Sequence, residues 1–457
     1  MKRIMNAAIA ITVCVLVVAA GARADVKVPT IFGDNMVLQR DVPLPVWGQA
    51  AAGEKVTVTM CGKTASATAD KDGAWAVKLS AMKCTPKQTG VTMTIKGKNT
   101  IALKNILIGE VWVGSGQSNM EWHLRGSATG KEAIAKADLP NIRLYHVPKV
   151  QSKTPAKDIK AAWKVCSPKT CPTFSGVLFF FGKRLHDELK IPIGLINSSW
   201  GGSPIEPWTV TDASKRQGGG MYNAMIAPLQ PFAVRGATWY QGETNVFRKN
   251  GLKYFDKTKA LIEGWRKTWN NDKLSFYIVQ IAPWSGGYGP GELPKLWEAQ
   301  VASLKIPGTG LAVVTDLVDN IKDIHPRMKK PVGNRLALWA LVKDYGKKDL
   351  VYSGPLYKSM KIEGATIRVS FAHTAGGLLS RDGKDLSEFQ IAEADGKFVP
   401  AKAIIDGKTV VVSADGVTTP KSVRFGWHKV ANPNLINKTG LPASPFQTDN
   451  WTGGTGE

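Results

Sequence analysis

Past its first two dozen residues the chain has no apolar run near the ~20 residues that cross a bilayer, which excludes a membrane span from the mature protein. Cysteine is sparse, five in 457 residues, with neither a Cys-x-x-Cys pair nor clustered histidines beside them, so no metal site is expected. Acidic residues are in deficit, 36 against 60 lysines and arginines, for a formal charge of +24. The lysines are scattered and not gathered into runs, so they read as a solvated basic surface and not as a nucleic-acid footprint. No internal repeat is evident. No serine stands in a G-x-S-x-G setting, which argues against the α/β-hydrolase elbow.

What is present begins with a leader. Lys2 and Arg3, the apolar Ala7 to Ala22, and Ala22-Arg23-Ala24 as a small-x-small cleavage site make residues 1–24 a signal peptide. This predicts export to the periplasm or beyond, with Asp25 as the first mature residue, a charge of +21 after loss of Lys2, Arg3 and Arg23, and no nucleic-acid partner. Cys14 leaves with the leader. Cys61, Cys84, Cys166 and Cys171 remain, an even number in an oxidising compartment, and local pairing Cys61–Cys84 and Cys166–Cys171 is expected over four buried thiols.

A length of 457 residues exceeds one core, and 43% hydrophobic with 21% charged residues describes a soluble globular chain of two or three domains. Residues 25–104 read as an all-β, sandwich-like domain. Lys55 to Met60 and Val91 to Ile95 alternate with period two, and Gly53, Gly62, Asp72-Gly73 and Gly90 supply turns. From 105 to 345 strands alternate with helices. Strands are predicted at 106–113, 141–146, 192–197, 234–240, 275–281 and 311–315, and helices at 176–189, 253–269, 292–304 and 332–343. That alternation implies a mostly parallel sheet covered on both faces. Residues 346–457 return to β patterning, at Lys361-Ile362, Thr366 to Val369 and Thr409 to Val412, and end in a glycine-rich tail over 446–457 expected to fray.

The middle region is organised around Gly109 to Glu121. An apolar strand breaks at Gly114-Ser115-Gly116 and meets Gln117-Ser118-Asn119, which sets a hydroxyl on a turn at the carboxyl end of a strand. Three more strand ends carry polar blocks: Asn197 to Ser203, Trp239 to Asn245, and Asp323 to Pro326. In a doubly wound sheet these converge on one crevice, and together they hold what acyl transfer needs. Ser118 would be the nucleophile and His325 its base, with the Ser118 N–H, an N–H of Gly201 or Gly202, and the Asn245 amide facing the oxyanion.

In order and context the blocks GEVWVGSGQSNMEW, INSSWGGSPIEPW, GATWYQGETN and DIHPRMKKPVGNRLAL resemble the SGNH-type hydrolases, and specifically the sialate O-acetylesterase family. IFGDNMVLQRDVPLPVWG and LPASPFQTDNW extend the likeness over nearly the whole mature chain. The resemblance implies a flavodoxin-like three-layer α/β domain flanked by β modules. It also implies hydrolysis of O-acetyl esters on sugars, with no metal or organic cofactor. It places Ser118 as nucleophile, His325 as base, and Ser118, Gly201 or Gly202, and Asn245 in the oxyanion hole. Related SGNH enzymes carry an aspartate three residues before the histidine. That position is Lys322 here, so Asp323, two before, is the third-member candidate, with Asp316 and Asp319 as runners-up and a Ser–His dyad as the alternative.

Glu206 and Glu243 read as orienting carboxylates, in preference to a glycosidase pair that would leave the serine and glycine blocks without use. Gln117, Asn119 and Gln241 are strand-end amides for pinning loops or binding substrate, and Trp122, Trp200 and Trp208 pack or stack on a sugar. The expected partner is an O-acetylated sugar or glycan. Sialic acid, as an anion, suits a basic protein; acetylated xylan uses the same chemistry. A non-catalytic glycan-binding protein is the reading of a different class.

Overall fold

The computed structural model describes residues 25–84, 89–450 and 453, so the expected signal peptide and half of the tail expected to fray lie outside the described residues. The start of that tail, Phe446–Gln447, is not frayed but pairs with Arg424 and Phe425 and buries Phe446. A single strand, Thr100–Gly116, joins the first two regions. Val91–Lys96 runs antiparallel to its first half, with Ile95 opposite Ile101. Val37–Gln39 then lies parallel to Leu107 through Gly109. Beyond that, Ile193–Ser199 and Gly236–Tyr240 flank it in parallel register, with Ile196 and Ala237 both level with Val113. The boundary expected at 104/105 therefore falls inside a continuous strand. The N-terminal β region and the α/β region share one apolar core, while the C-terminal region encloses a second around Ile367, Val369, Val410, Val423 and Phe446.

Across the sheet the order is Thr309–Ala312, Ser275–Val279, Gly236–Tyr240, the long strand, Ile193–Ser199 and Leu139–His146, all parallel. Trp163–Cys166 adds an antiparallel edge that the sequence patterning did not reveal. The chain builds one side of the long strand and then crosses to the other, so the switch point lies at its carboxyl end. Every residue from Ile106 to Gly116 is buried, as a strand covered on both faces must be. Its one charge, Glu110, receives Arg40 Nε at 2.6 Å and Arg235 Nε and Gln39 Nε2 at 2.9 Å. Burial pushes its pKa up, but these bonds, led by Arg235, outweigh burial and hold the carboxyl below its usual range.

Helices cover both faces. Gly176–Leu189 starts on Ser175, whose Oγ accepts the Leu178 N–H, and stops at left-handed Lys190. It packs with Lys329–Lys343 over the face carrying Trp112 and Tyr277; the Trp112–Phe181 and Tyr277–Trp339 ring centroids are 5.0 and 6.4 Å apart. Tyr254–Trp269 covers the opposite face, where Trp265 lies 6.3 Å from Trp239 and 5.7 Å from Phe276. The C-terminal region forms two four-stranded antiparallel sheets and a two-stranded one, with Phe446 of one four-stranded sheet stacked on Tyr357 of the other at 4.8 Å.

The expected disulfides are not formed among the described residues. Cys61 is exposed at the turn after Lys55–Met60, whereas Cys84 packs beside Arg40 and Glu110. Cys166 and Cys171 are buried neighbours that share a thiol hydrogen bond. Spacing along the chain brought the second pair together but did not set the covalent state.

The two helices over Trp112 touch backbone to backbone at Gly333: a Cβ there would sit 2.5 Å from the Val177 carbonyl oxygen and 2.7 Å from the Phe181 nitrogen. Gly333→Ala must push the helices apart and is expected to destabilise the fold by about 1–3 kcal/mol in a urea titration. An unchanged midpoint would contradict that packing.

Candidate active site

The long strand ends on Gly116, with φ of +132°, where a Cβ would lie 2.2 Å from the Tyr240 carbonyl oxygen. Only glycine lets the backbone pass this close to the neighbouring strand. Gln117 N then donates to Tyr240 O, and Ser118–Glu121 makes one helical turn. Ser118 starts that turn, so its N–H points out of the helix, and no described residue accepts it.

The Ser118 Oγ lies 2.8 Å from His325 Nε2, across 207 positions of sequence. Asp323 Oδ1 accepts the His325 backbone N–H at 2.9 Å and stands 3.5 Å from His325 Nδ1. The runners-up are engaged elsewhere, Asp316 by Arg335 at 2.6 Å and Asp319 by Arg327 at 2.8 Å. Trp122 stacks on the imidazole, with centroids 5.2 Å apart and planes 23° from parallel. Burial and then the Lys329 charge lower the His325 pKa below 6.5, and the Asp323 carboxylate only partly opposes them, so the ring is held neutral.

Beneath this pair lies a buried polar cluster. Asn119 Nδ2 donates to Glu243 Oε1 at 2.6 Å and to Ile324 O at 3.1 Å, while Asn119 Oδ1 accepts Lys329 Nζ at 2.6 Å. One amide thus ties the residue after Ser118 to the residue before His325. Lys329 is 1% exposed, with its ammonium 5.6 Å from the Trp122 ring and 5.5 Å from the Tyr240 ring. Burial brings its pKa down to about 7 and raises that of Glu243. Lys329 escaped the sequence reading because the last helix was expected to begin at Val332. It begins at Lys329 and carries that side chain inward.

The remaining expected site residues form a second network. Gln117 Oε1 accepts Gln241 Nε2 at 3.0 Å, and Gln241 Nε2 also reaches Asn245 Oδ1 at 2.7 Å. Asn245 Nδ2 is committed to Asn250 Oδ1 at 2.7 Å and to Glu206 Oε1 at 3.2 Å, so its amide is engaged away from the oxyanion role expected of it. Glu206 further pairs with Lys257 at 2.9 Å at the surface, whereas Glu243 is buried with Asn119; they orient different groups and do not form a glycosidase pair. Gly201 packs on Ser118, a Cβ there being 3.4 Å from the serine Cβ, but its N–H donates to Glu121 Oε2 at 2.5 Å. No described residue accepts the N–H of Gly202, which has φ of +74°. Glu121, held also by Lys149 at 2.7 Å, is a second residue the sequence reading missed. Trp208 is fully buried and donates to Ser203 Oγ, which makes it packing. His186 bonds the Ile191 carbonyl and His428 pairs with Glu388. Among the described residues no three His, Cys, Asp or Glu side chains cluster as metal ligands.

Residues 108–340 match the family described as carbohydrate esterase, sialic acid-specific acetylesterase. The chain is 30% identical to a sialate O-acetylesterase of Pongo abelii over 91% of either protein. It is 32% identical to that of Homo sapiens over 72% of this chain and 73% of the human one. The crystal structure of a carbohydrate acetylesterase from Xanthomonas citri superposes with a TM-score of 0.89 at 38% identity, covering 93% of this chain and all of that one. This chain belongs to the sialic acid-specific acetylesterase family of carbohydrate esterases and is a carboxylic ester hydrolase.

Proposed function

We propose that this protein is an exported serine esterase that removes O-acetyl groups from sugars through an acetyl-enzyme on Ser118. The 2.8 Å contact between Ser118 Oγ and His325 Nε2 carries the reading. Neutral His325 takes the serine proton as Oγ attacks the acetyl carbonyl. The tetrahedral oxyanion rests on the Ser118 N–H and on the Gly202 N–H, the donors that no described residue occupies. Collapse passes the proton from His325 to the sugar oxygen, and water, activated by the same imidazole, releases acetate. Asp323 steadies His325 through the backbone and from 3.5 Å at Nδ1, a looser hold than a buried triad aspartate has. The chemistry asks for no metal or cofactor.

The parallel sheet, its switch point and the helices on both faces support a flavodoxin-like SGNH arrangement for the α/β region, with β modules on either side. The relatives' names support a sialic acid ester as substrate, and a basic chain favours encounter with that anion. Acetylated xylan would use the same machinery, and acetate release from a panel of O-acetylated glycans separates the two.

Ser118→Ala is expected to lower hydrolysis of p-nitrophenyl acetate by on the order of 10⁴-fold or more; retained activity would end the mechanism. Asp323→Asn should cost only about ten- to a hundredfold in kcat, well short of the ~10⁴ seen where a buried aspartate is replaced. The neutral imidazole is the active form and its pKa is depressed. The acid limb of kcat/KM is therefore expected below pH 6.5, with full activity above it. Lys329→Met removes a charge that disfavours the imidazolium and should move that limb to higher pH, and a limb that stays in place would show that Lys329 does not act on His325.

A further inference from the structure

Phe247 is the one aromatic ring among the exposed large apolar side chains of the described residues, at 51% exposure. A single exposed apolar residue needs no explanation, but this one is not single. Its ring meets Trp284 at 5.8 Å and Tyr288 at 5.1 Å, and those two meet each other at 4.9 Å, all edge-on. Two glycines adjoin the rings, and the first leaves room that a side chain would take. A Cβ on Gly286 would fall 2.0 Å from the Trp284 ring, and one on Gly287 would lie 3.6 Å from Phe247 Cε1.

Each half of the Ser118–His325 pair is tied to one of these rings. Phe247 closes the helix Glu243–Phe247, in which the Thr244 N–H donates to Gln117 Oε1 at 3.3 Å and Thr244 Oγ1 to Gly202 O at 3.1 Å. Gln117 precedes Ser118. Trp284 Nε1 donates to Lys322 O at 3.1 Å, three residues before His325, and Ser285 N donates to Ile321 O at 2.9 Å. Lys429 Nζ braces the segment from the C-terminal region, donating to Gly286 O at 2.7 Å and Tyr288 O at 3.1 Å. The rings thus form a braced aromatic cluster on the two segments that are bonded to the approaches of Ser118 and His325. The exposed Arg248, paired with Glu206, follows Phe247 in the chain, and the exposed Lys322 holds the Trp284 indole through its carbonyl. Aromatic faces with polar donors at the edge are what the C–H face and hydroxyls of a pyranose fit.

Resting on the esterase reading, we propose that the Phe247–Trp284 face is a stacking subsite for a pyranose ring of the acetylated glycan, and that it sets preference for sugar esters over small acetate esters. The test compares kcat/KM for an acetylated xylo-oligosaccharide and for O-acetylated N-acetylneuraminic acid, each as a ratio to p-nitrophenyl acetate. Phe247→Ala should lower at least one ratio roughly three- to tenfold, the scale of one aromatic contact. Phe247→Tyr should restore that ratio, and Gly286→Ala, which displaces Trp284, should lower it as well. Unchanged ratios for both sugars in Phe247→Ala, including equal losses on all three substrates, would overturn the subsite. Ser118→Ala run alongside tests the esterase reading separately. Tryptophan-fluorescence titration of Ser118→Ala with either sugar reads the subsite without turnover, and should weaken when Phe247→Ala is added.

Discussion

The structure depends on a strand that water reaches on neither face over its second half. From Ile106 to Gly116 it is buried throughout, so its side chains are apolar or absent except for Ser115, near the end, and Glu110, which Arg40, Arg235 and Gln39 surround. Polar chemistry has nowhere to go but the strand's end. Parallel register then aligns three such ends, because Gly116 is level with both Ser199 and Tyr240. Ser118, Gly201 and Gln241 follow within two residues of that common level, so convergence is a consequence of the backbone ladder.

Holding Ser118 against His325 is a different task, and a buried polar cluster does it. Asn119 bridges the neighbours of Ser118 and His325, and its orientation is settled from both ends, by a cation at the oxygen and by a carboxylate and a carbonyl at the nitrogen. Satisfied on each side, such a network is rigid; with one member missing, its partners would be stranded in a low-dielectric interior. Burial first, and then the Lys329 charge, disfavour protonation of the imidazole. The cluster that positions His325 thus also bears on its protonation state.

Much of this was legible along the chain. Gly176–Leu189 coincides with its expected bounds because its apolar stripe, capping serine and left-handed stop all agree. The strand ends that carry Ser118, Gly201 and Gln241 were visible as apolar runs broken by glycine and amide residues. The 104/105 position falls inside one strand because the residue pattern changes there while hydrogen bonding does not: one strand serves two partners in succession. Asn245 and Gly201 carried residue types suited to an oxyanion, yet Asn250, Glu206 and Glu121 take their N–H groups, and none of those three is adjacent to its partner in sequence.

By itself the sequence determined the order of elements, the family and the residue types at the strand ends, since periodicity, glycine breaks and motif order are local properties. Tertiary structure alone decided which carboxylate stands by His325, which amide N–H groups stay unoccupied, that Lys329 bonds Asn119 beside Ser118, and that Cys166 and Cys171 meet as thiols. Each of these depends on groups far apart along the chain competing for the same few hydrogen bonds, and that competition is resolved only when the strands and loops are packed together.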